Sequence, residues 1–148
     1  MSASFTLRPS TASDTDWMVD LRAIVMRADL ERVGRWNPDR VRERFLNAFV
    51  PSQTSVIEID REPVGLIAAR EEADAVWIEH FYLDPAHQGL GIGGRVLAQV
   101  MDAHRGERPF RLNVLLGSPA MRLYERHGFR FDSQDDIDLY LTTGAPGR

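Results

Sequence analysis

The sequence contains no cysteine. That excludes disulfides, thiolate nucleophiles and thiolate metal sites together, and it suits a reducing compartment. Lysine is missing as well: all 18 basic residues are arginine. A phosphate-binding lysine of the Walker type is therefore impossible, and the only amine on which the chain can modify itself is its α-amino group. Net positive charge is lacking too, at −4 overall, which argues against a general nucleic-acid partner. No stretch approaches the ~20 apolar residues of a membrane span. The start of the chain carries Thr6, Arg8 and Pro9 where a secretory leader would be apolar. His87, His104 and His127 stand without acids at metal-ligand spacing, so no metal site is expected. Repeats, low-complexity runs and internal linkers are also absent. The expectation is a cytoplasmic chain with one domain over residues 1–148, in which 144–148 form a frayed tail.

What is present is ordinary globular material. Hydrophobic residues make up 43% of 148, enough for a core that needs no staples. Phe5 and Leu7 alternate with polar neighbours and predict an edge strand over 5–8, ended by Pro9. Ser13 or Asp14 can cap a helix with Trp17, Leu21, Ile24 and Val25 on one face. Pro38 suits the first turn of a second helix, whose apolar stripe is Val41, Phe45 and Phe49 and which Pro51 closes. Three strands follow over 54–59, 64–70 and 75–83, joined by short polar turns that imply antiparallel hairpins. A glycine-rich turn then leads into a helix with Ile92, Val96, Leu97, Val100 and Met101 at helical spacing. A strand over 110–116, a helix starting at Ser118 or Pro119 with Ala120, Leu123, Tyr124 and His127 on one face, and a hairpin of 129–131 with 137–141 complete the chain. The order β-α-α-β-β-β-α-β-α-β-β describes an α+β fold: a mixed, mostly antiparallel sheet flanked by helices. Parallel pairing is permitted after the fourth and fifth strands, where helices intervene.

The chemistry concentrates at Gln88-Gly89-Leu90-Gly91-Ile92-Gly93-Gly94, which leaves a strand and enters a helix. Glycines let backbone N–H groups converge on an anion with no Cβ in the way, and the helix N-terminus adds unpaired donors and its dipole. Gly89, Gly91 and Gly94 also satisfy the dinucleotide pattern G-x-G-x-x-G. That reading is rejected, because several strands precede the turn and no strand-ending acid follows about 20 residues on.

These residues resemble the signature of the GCN5-related N-acetyltransferase (GNAT) family: Gln or Arg, two residues, Gly, one residue, Gly or Ala. Leu83-Asp84-Pro85 looks like the family's lead-in. Ala120 with Leu123-Tyr124-Glu125-Arg126-His127-Gly128-Phe129 is similar to its second signature. The resemblance runs from about Val64 to Leu141. One departure is Gly117-Ser118-Pro119, where the family often has Asn before the helix; Ser118 can still cap that helix, and its contact with the cofactor is weakened as an expectation.

The resemblance implies acetyl-CoA as acetyl donor and a primary amine of a small molecule or peptide as acceptor. Backbone groups of Phe81, Tyr82 and Leu83 would pair with the pantetheine arm, an N–H near Leu83 would polarise the thioester carbonyl, and the backbone of Gln88 to Gly94 (Gln88, Gly89, Leu90, Gly91, Ile92, Gly93, Gly94) would hold the pyrophosphate. Tyr124 is the candidate general acid for the departing thiolate, with a core tyrosine as the plain structural alternative. Glu79 is the candidate base, acting through a water. Strand alternation puts Trp77, Glu79, Phe81 and Leu83 on one face and Ile78, His80 and Tyr82 on the other. A bulge would swap the faces and make His80 the base, and an ion pair is the structural alternative for Glu79. Asn113 either faces the cleft or makes a structural hydrogen bond. Arg27, Arg32, Arg35 and Trp36 either grip a carboxylate on the acceptor or form a solvated charged face. A non-catalytic acyl-CoA sensor is the competing function, and a homodimer is compatible with the family.

Overall fold

The computed structural model describes residues 4–144; of the tail expected to fray, residues 145–148 lie outside that range. Strand β1, Thr6–Pro9, opens the chain one residue later than its alternation suggested, with Pro9 as its last residue. A 3-10 turn follows, in which the Asp14 carboxylate accepts from the Thr11 N–H at 2.9 Å. Helix α1 spans Thr15–Arg32. It ends in a Schellman motif around Gly34 (φ +73°): the Arg35 and Gly34 N–H groups donate to the carbonyls of Leu30 and Glu31. Helix α2, Pro38–Ala48, has Pro38 in its first turn and is capped by the Asn37 side chain, which accepts from the Arg40 N–H.

Strands β2 (Thr54–Ile59), β3 (Glu62–Glu71) and β4 (Val76–Leu83) form the antiparallel centre. Helix α3 spans Ile92–Ala103, β5 Phe110–Leu115, α4 Met121–Glu125, β6 Arg130–Gln134 and β7 Asp138–Thr142. All seven strands join one sheet in the order β1-β2-β3-β4-β5-β7-β6. Among the described residues the single parallel pair is β4 with β5. The second permitted parallel pairing is not made: β7 inserts between β5 and β6, antiparallel to both.

Each face of the sheet carries its own apolar cluster. On one side Met18, Val19, Leu21 and Phe45 of α1 and α2 pack on Val56 and Leu66. On the other, Ile92, Val96, Leu97, Val100 and Met101 of α3, with Tyr124 and Phe129, pack on Ile57, Val76, Ile78 and Leu83. The helical spacings of α2 and α3 hold. That of α1 needs correction, because Ile24 is exposed and the inward stripe is Met18, Leu21, Arg22 and Val25. A charged residue therefore lies in the apolar face of this helix. Among the described residues no helix is long and apolar enough to cross a membrane.

Candidate active site

Strands β4 and β5 pair at only two positions, Val76 with Phe110 and Trp77 with Arg111, and then part. Beyond Trp77, the edge of β4 that faces β5 has no strand on it among the described residues. An unpaired edge is a row of backbone donors and acceptors that an extended ligand can complete.

A bulge lies in the middle of this edge. Leu66 pairs with Tyr82 and Ala68 with Glu79, so β4 carries one residue more than β3 between them. The extra residue takes up its length at His80, whose φ is +47°. Simple alternation fails there, as a bulge requires. Ile78, Phe81 and Leu83 all pack into the α3-side cluster, whereas Tyr82 packs into the α1–α2 cluster and the His80 ring meets Phe45 edge-on at 5.3 Å. The grouping of Glu79 with Phe81 and Leu83 is thus corrected. Glu79 shares the α1–α2 side with its neighbour His80 and with Tyr82.

The environments of these groups differ. Arg70 donates to Glu79 Oε1 from Nε at 3.0 Å and from Nη2 at 2.8 Å, and Arg70 also pairs with Glu72. Glu79 is thereby held as a fork-bound carboxylate. His80 is half-buried, and its buried Nδ1 has no hydrogen-bond partner among the described residues. Burial lowers its pKa below the ordinary histidine value; the Arg22 charge adds to this and Glu79 opposes it. The imidazole is therefore neutral at neutral pH. Tyr124 is 8% exposed and stacks edge-on with Phe129 at 5.8 Å. Burial pushes its phenol well above the usual value, and the neighbouring Tyr82 raises it further. Tyr124 is accordingly a protonated donor at any working pH.

The glycine turn occupies the end of the same edge. A 3-10 turn at Pro85–His87 follows β4, and the Gln88 side chain folds back to donate to the Leu83 carbonyl at 2.8 Å. Gln88 thus pins the loop through its side chain. Gly89 and Gly91 both sit at φ +78°, and Gly91 is the N-cap of α3. A Cβ built on either would meet nothing within 4 Å, so the space beside these two glycines is open. The first-turn N–H groups of α3, at Ile92, Gly93 and Gly94, have no intrahelical partners and point toward the N-terminal end of the helix. The site fits an anion and an extended arm side by side. On the far side, Gly93 and Gly94 lie against Leu123 and His127, which sets α3 against α4 and Tyr124.

Other candidates fall elsewhere. Ser118 Oγ accepts from the Ala120 N–H at 3.2 Å, supporting the turn into α4. Asn113 is exposed and donates to Asp138 across β5 and β7, the structural alternative. His104 meets Glu71, and His127 Nδ1 meets the Leu123 carbonyl. Arg27 pairs with Glu31 and lies over Trp36. Arg32 pairs with Asp29 and clasps the Leu116 carbonyl. On this charged face Arg27 and Arg32 are already engaged, while Arg35 is exposed. The residue that sequence reasoning missed is Arg22, 9% exposed. It donates from Nε to the Tyr82 hydroxyl at 3.1 Å and from Nη1 to the Val41 carbonyl at 2.6 Å. Its signal was visible: a cation between Leu21 and Val25 on an apolar stripe. Among the described residues no cluster of His, Asp or Glu is arranged to hold a metal.

Comparison with known proteins agrees with this geometry. The spermine/spermidine N(1)-acetyltransferase of Bacillus subtilis is 28% identical over 67 residues, a match spanning 43% of this chain and 44% of that protein; the chain thus spans less than half the length of the curated relative it matches. The PaiA N-acetyltransferase of Thermoplasma acidophilum, solved with coenzyme A, superposes with a TM-score of 0.77 at 18% identity over 96% of this chain and 99% of its own. Arabidopsis thaliana Naa50, solved with a bisubstrate analogue of coenzyme A and a peptide, gives 0.72 at 18% identity over 96% and 99%. The profile of the acetyltransferase (GNAT) domain matches residues 51–131, from the turn before β2 through the bulged strand and glycine turn to β6. On that match, with the parted strands and the glycine turn in their places, the chain belongs to the GNAT acetyltransferase domain family.

Proposed function

We propose that this chain moves an acetyl group from acetyl-CoA to the primary amine of a small molecule or peptide, by direct transfer while both are bound. The observation that carries this reading is the unpaired β4 edge running into a left-handed glycine turn at the start of α3. The relatives add support, since the Thermoplasma and Arabidopsis proteins were solved with coenzyme A or an analogue of it, and the Bacillus relative is named for acetylating an amine.

Bound acetyl-CoA supplies an acetyl carbon activated as a thioester, to which the amine nitrogen bonds as the C–S bond breaks. Backbone groups of Phe81, Tyr82 and Leu83 extend the sheet onto the pantetheine arm, and a backbone N–H near Leu83 polarises the carbonyl as an oxyanion hole does. The turn from Gln88 to Gly94 holds the pyrophosphate through its N–H groups. Tyr124 gives its proton to the departing sulfur. His80, kept neutral by burial, takes the proton that the amine releases. Glu79, engaged by Arg70 through one oxygen, steadies the imidazolium that forms. It acts as a positioning residue in this reading, in place of the water-mediated base that the family resemblance implies. Location in the cytoplasm and a single domain over the whole chain belong to the same proposal.

The test is a thiol-release assay with acetyl-CoA and a panel of amines, beside calorimetric titration with coenzyme A. Turnover with at least one amine is expected. Tight uptake of coenzyme A with no thiol release from any amine would replace the enzyme by an acyl-CoA sensor.

A further inference from the structure

Arg22 stands out among the arginines of this molecule. Arg8, Arg27, Arg32, Arg70, Arg105, Arg108 and Arg111 each meet a carboxylate. Arg22 is far more enclosed than these, the one arginine buried among the described residues, and within those residues it meets no carboxylate: its contacts are a phenol oxygen and a main-chain carbonyl, both uncharged. A buried guanidinium is ordinarily paired, because removing it from water is costly and a neutral oxygen repays only part of that cost.

Its position suggests what completes the pair. Arg22 reaches from α1 to the Tyr82 hydroxyl, and Tyr82 follows the bulge by two residues. His80, with an unpartnered buried Nδ1, lies between Phe45 and Tyr82 at 5.3 and 6.2 Å between ring centroids. A buried cation and a neutral base thus border the same tyrosine. We infer that Arg22 receives a carboxylate carried by the acceptor close to its amine, so that the preferred substrates are free α-amino acids and polyamines are disfavoured. This rests on the acetyl-transfer reading and narrows it. A fork of N–H donors suits a carboxylate, and the same charge repels a polycation. The arginines of the α1 C-terminus cannot serve this role as they stand, since Arg27 and Arg32 are already paired.

The test compares glycine, alanine, methionine and glutamate with their α-amides, and with spermidine, on the wild-type protein. An α-amide has the less basic amine, which favours it in any reaction limited by free amine, so a preference for the carboxylate cannot come from amine reactivity. The expected result is a kcat/KM roughly 10²-fold higher for the acids, a ratio typical of a buried charge pair. Arg22→Gln should bring the two series together mainly through KM for the acids, with uptake of coenzyme A unchanged by calorimetry. If Arg22→Gln does not fold, the wild-type comparison still decides. Thiol release with amides or spermidine at least as fast as with the acids overturns the inference and leaves acetyl transfer standing. Binding of the acids to the coenzyme-A-loaded protein with no thiol release from any amine does the reverse.

Discussion

His80 occupies a left-handed conformation at φ +47°, which costs a non-glycine residue about 1–2 kcal/mol. Strain of that kind persists where surrounding structure enforces it and gathers at functional sites. Asparagine tolerates this region better than most residues, so His80→Asn should leave the melting temperature close to wild type while lowering kcat about 10²-fold. Because burial depresses the His80 pKa, the base is in its working form down to pH values below the ordinary ~6.5. The acid limb of kcat is therefore expected below that value and absent in His80→Asn, while Glu79→Gln retains the limb and loses less rate. A pH–rate series on the three proteins checks this. Tyr124 is the complementary case. Its raised pKa means no loss of proton at alkaline pH, so Tyr124→Phe should reduce kcat by about 10²-fold or more at every pH, with coenzyme A affinity by calorimetry unchanged.

At the scale of the element, the glycine turn and the β3–β4 hairpin make different demands. Gly91 holds φ +78° with open space where a Cβ would go. Gly91→Ala should cost about 1–2 kcal/mol in a denaturant titration, and it places a methyl group in the cradle. Coenzyme A affinity should fall by at least ~10-fold, more than the stability change accounts for. Gly65 is governed by close approach: its Cβ would stand 2.4 Å from the Tyr82 carbonyl. Gly65→Ala must push β3 from β4 beside the bulge, a loss of about 2–3 kcal/mol by thermal melt. The tight contact at Gly65 and the extra residue at His80 belong to one device, which turns His80 and Tyr82 toward α1 while Phe81 and Leu83 remain over α3.

For the molecule as a whole, the first strand and helix are fastened to the sheet by charge. Asp14 is nearly buried and accepts from Arg8 twice, from the Thr11 N–H and from Trp17 Nε1. Arg8 also pairs with Glu58 of β2. The Arg8 contact, followed by those from Trp17 and Thr11, holds the Asp14 carboxyl well below the usual range despite its burial. The sign follows from linkage: a depressed carboxyl stabilises the fold above its unfolded pKa of ~3.9, and that contribution is lost as pH falls toward the folded value. His80 acts in the same direction earlier, because the unfolded imidazole takes a proton at ~6.5 while the folded one resists. Stability should thus decline in two steps on acidification. Asp14→Asn should flatten the lower step and cost about 2 kcal/mol at neutral pH, discounted because the Arg8 side chain is one-third exposed. Urea titrations between pH 3 and 8 test both steps.

The local code was legible in the residues. Periodicity placed α2, α3 and the strands of the central meander within a residue or two, since apolar spacing reports one face of a helix and short polar turns force hairpins. The glycine turn could be read for a similar reason: positive φ and an unpaired helix start are properties of a few adjacent residues. Tertiary structure decided what depends on distant partners. It set β7 between β5 and β6, since competition among strands for one edge leaves no mark in any single segment. It turned Glu79 away from Phe81 and Leu83, since a bulge is defined by the register of two strands. Arg70, nine residues away in sequence, claimed Glu79. And it left Arg22 enclosed without a carboxylate, since whether a buried charge finds a partner is settled only when helix and sheet come together.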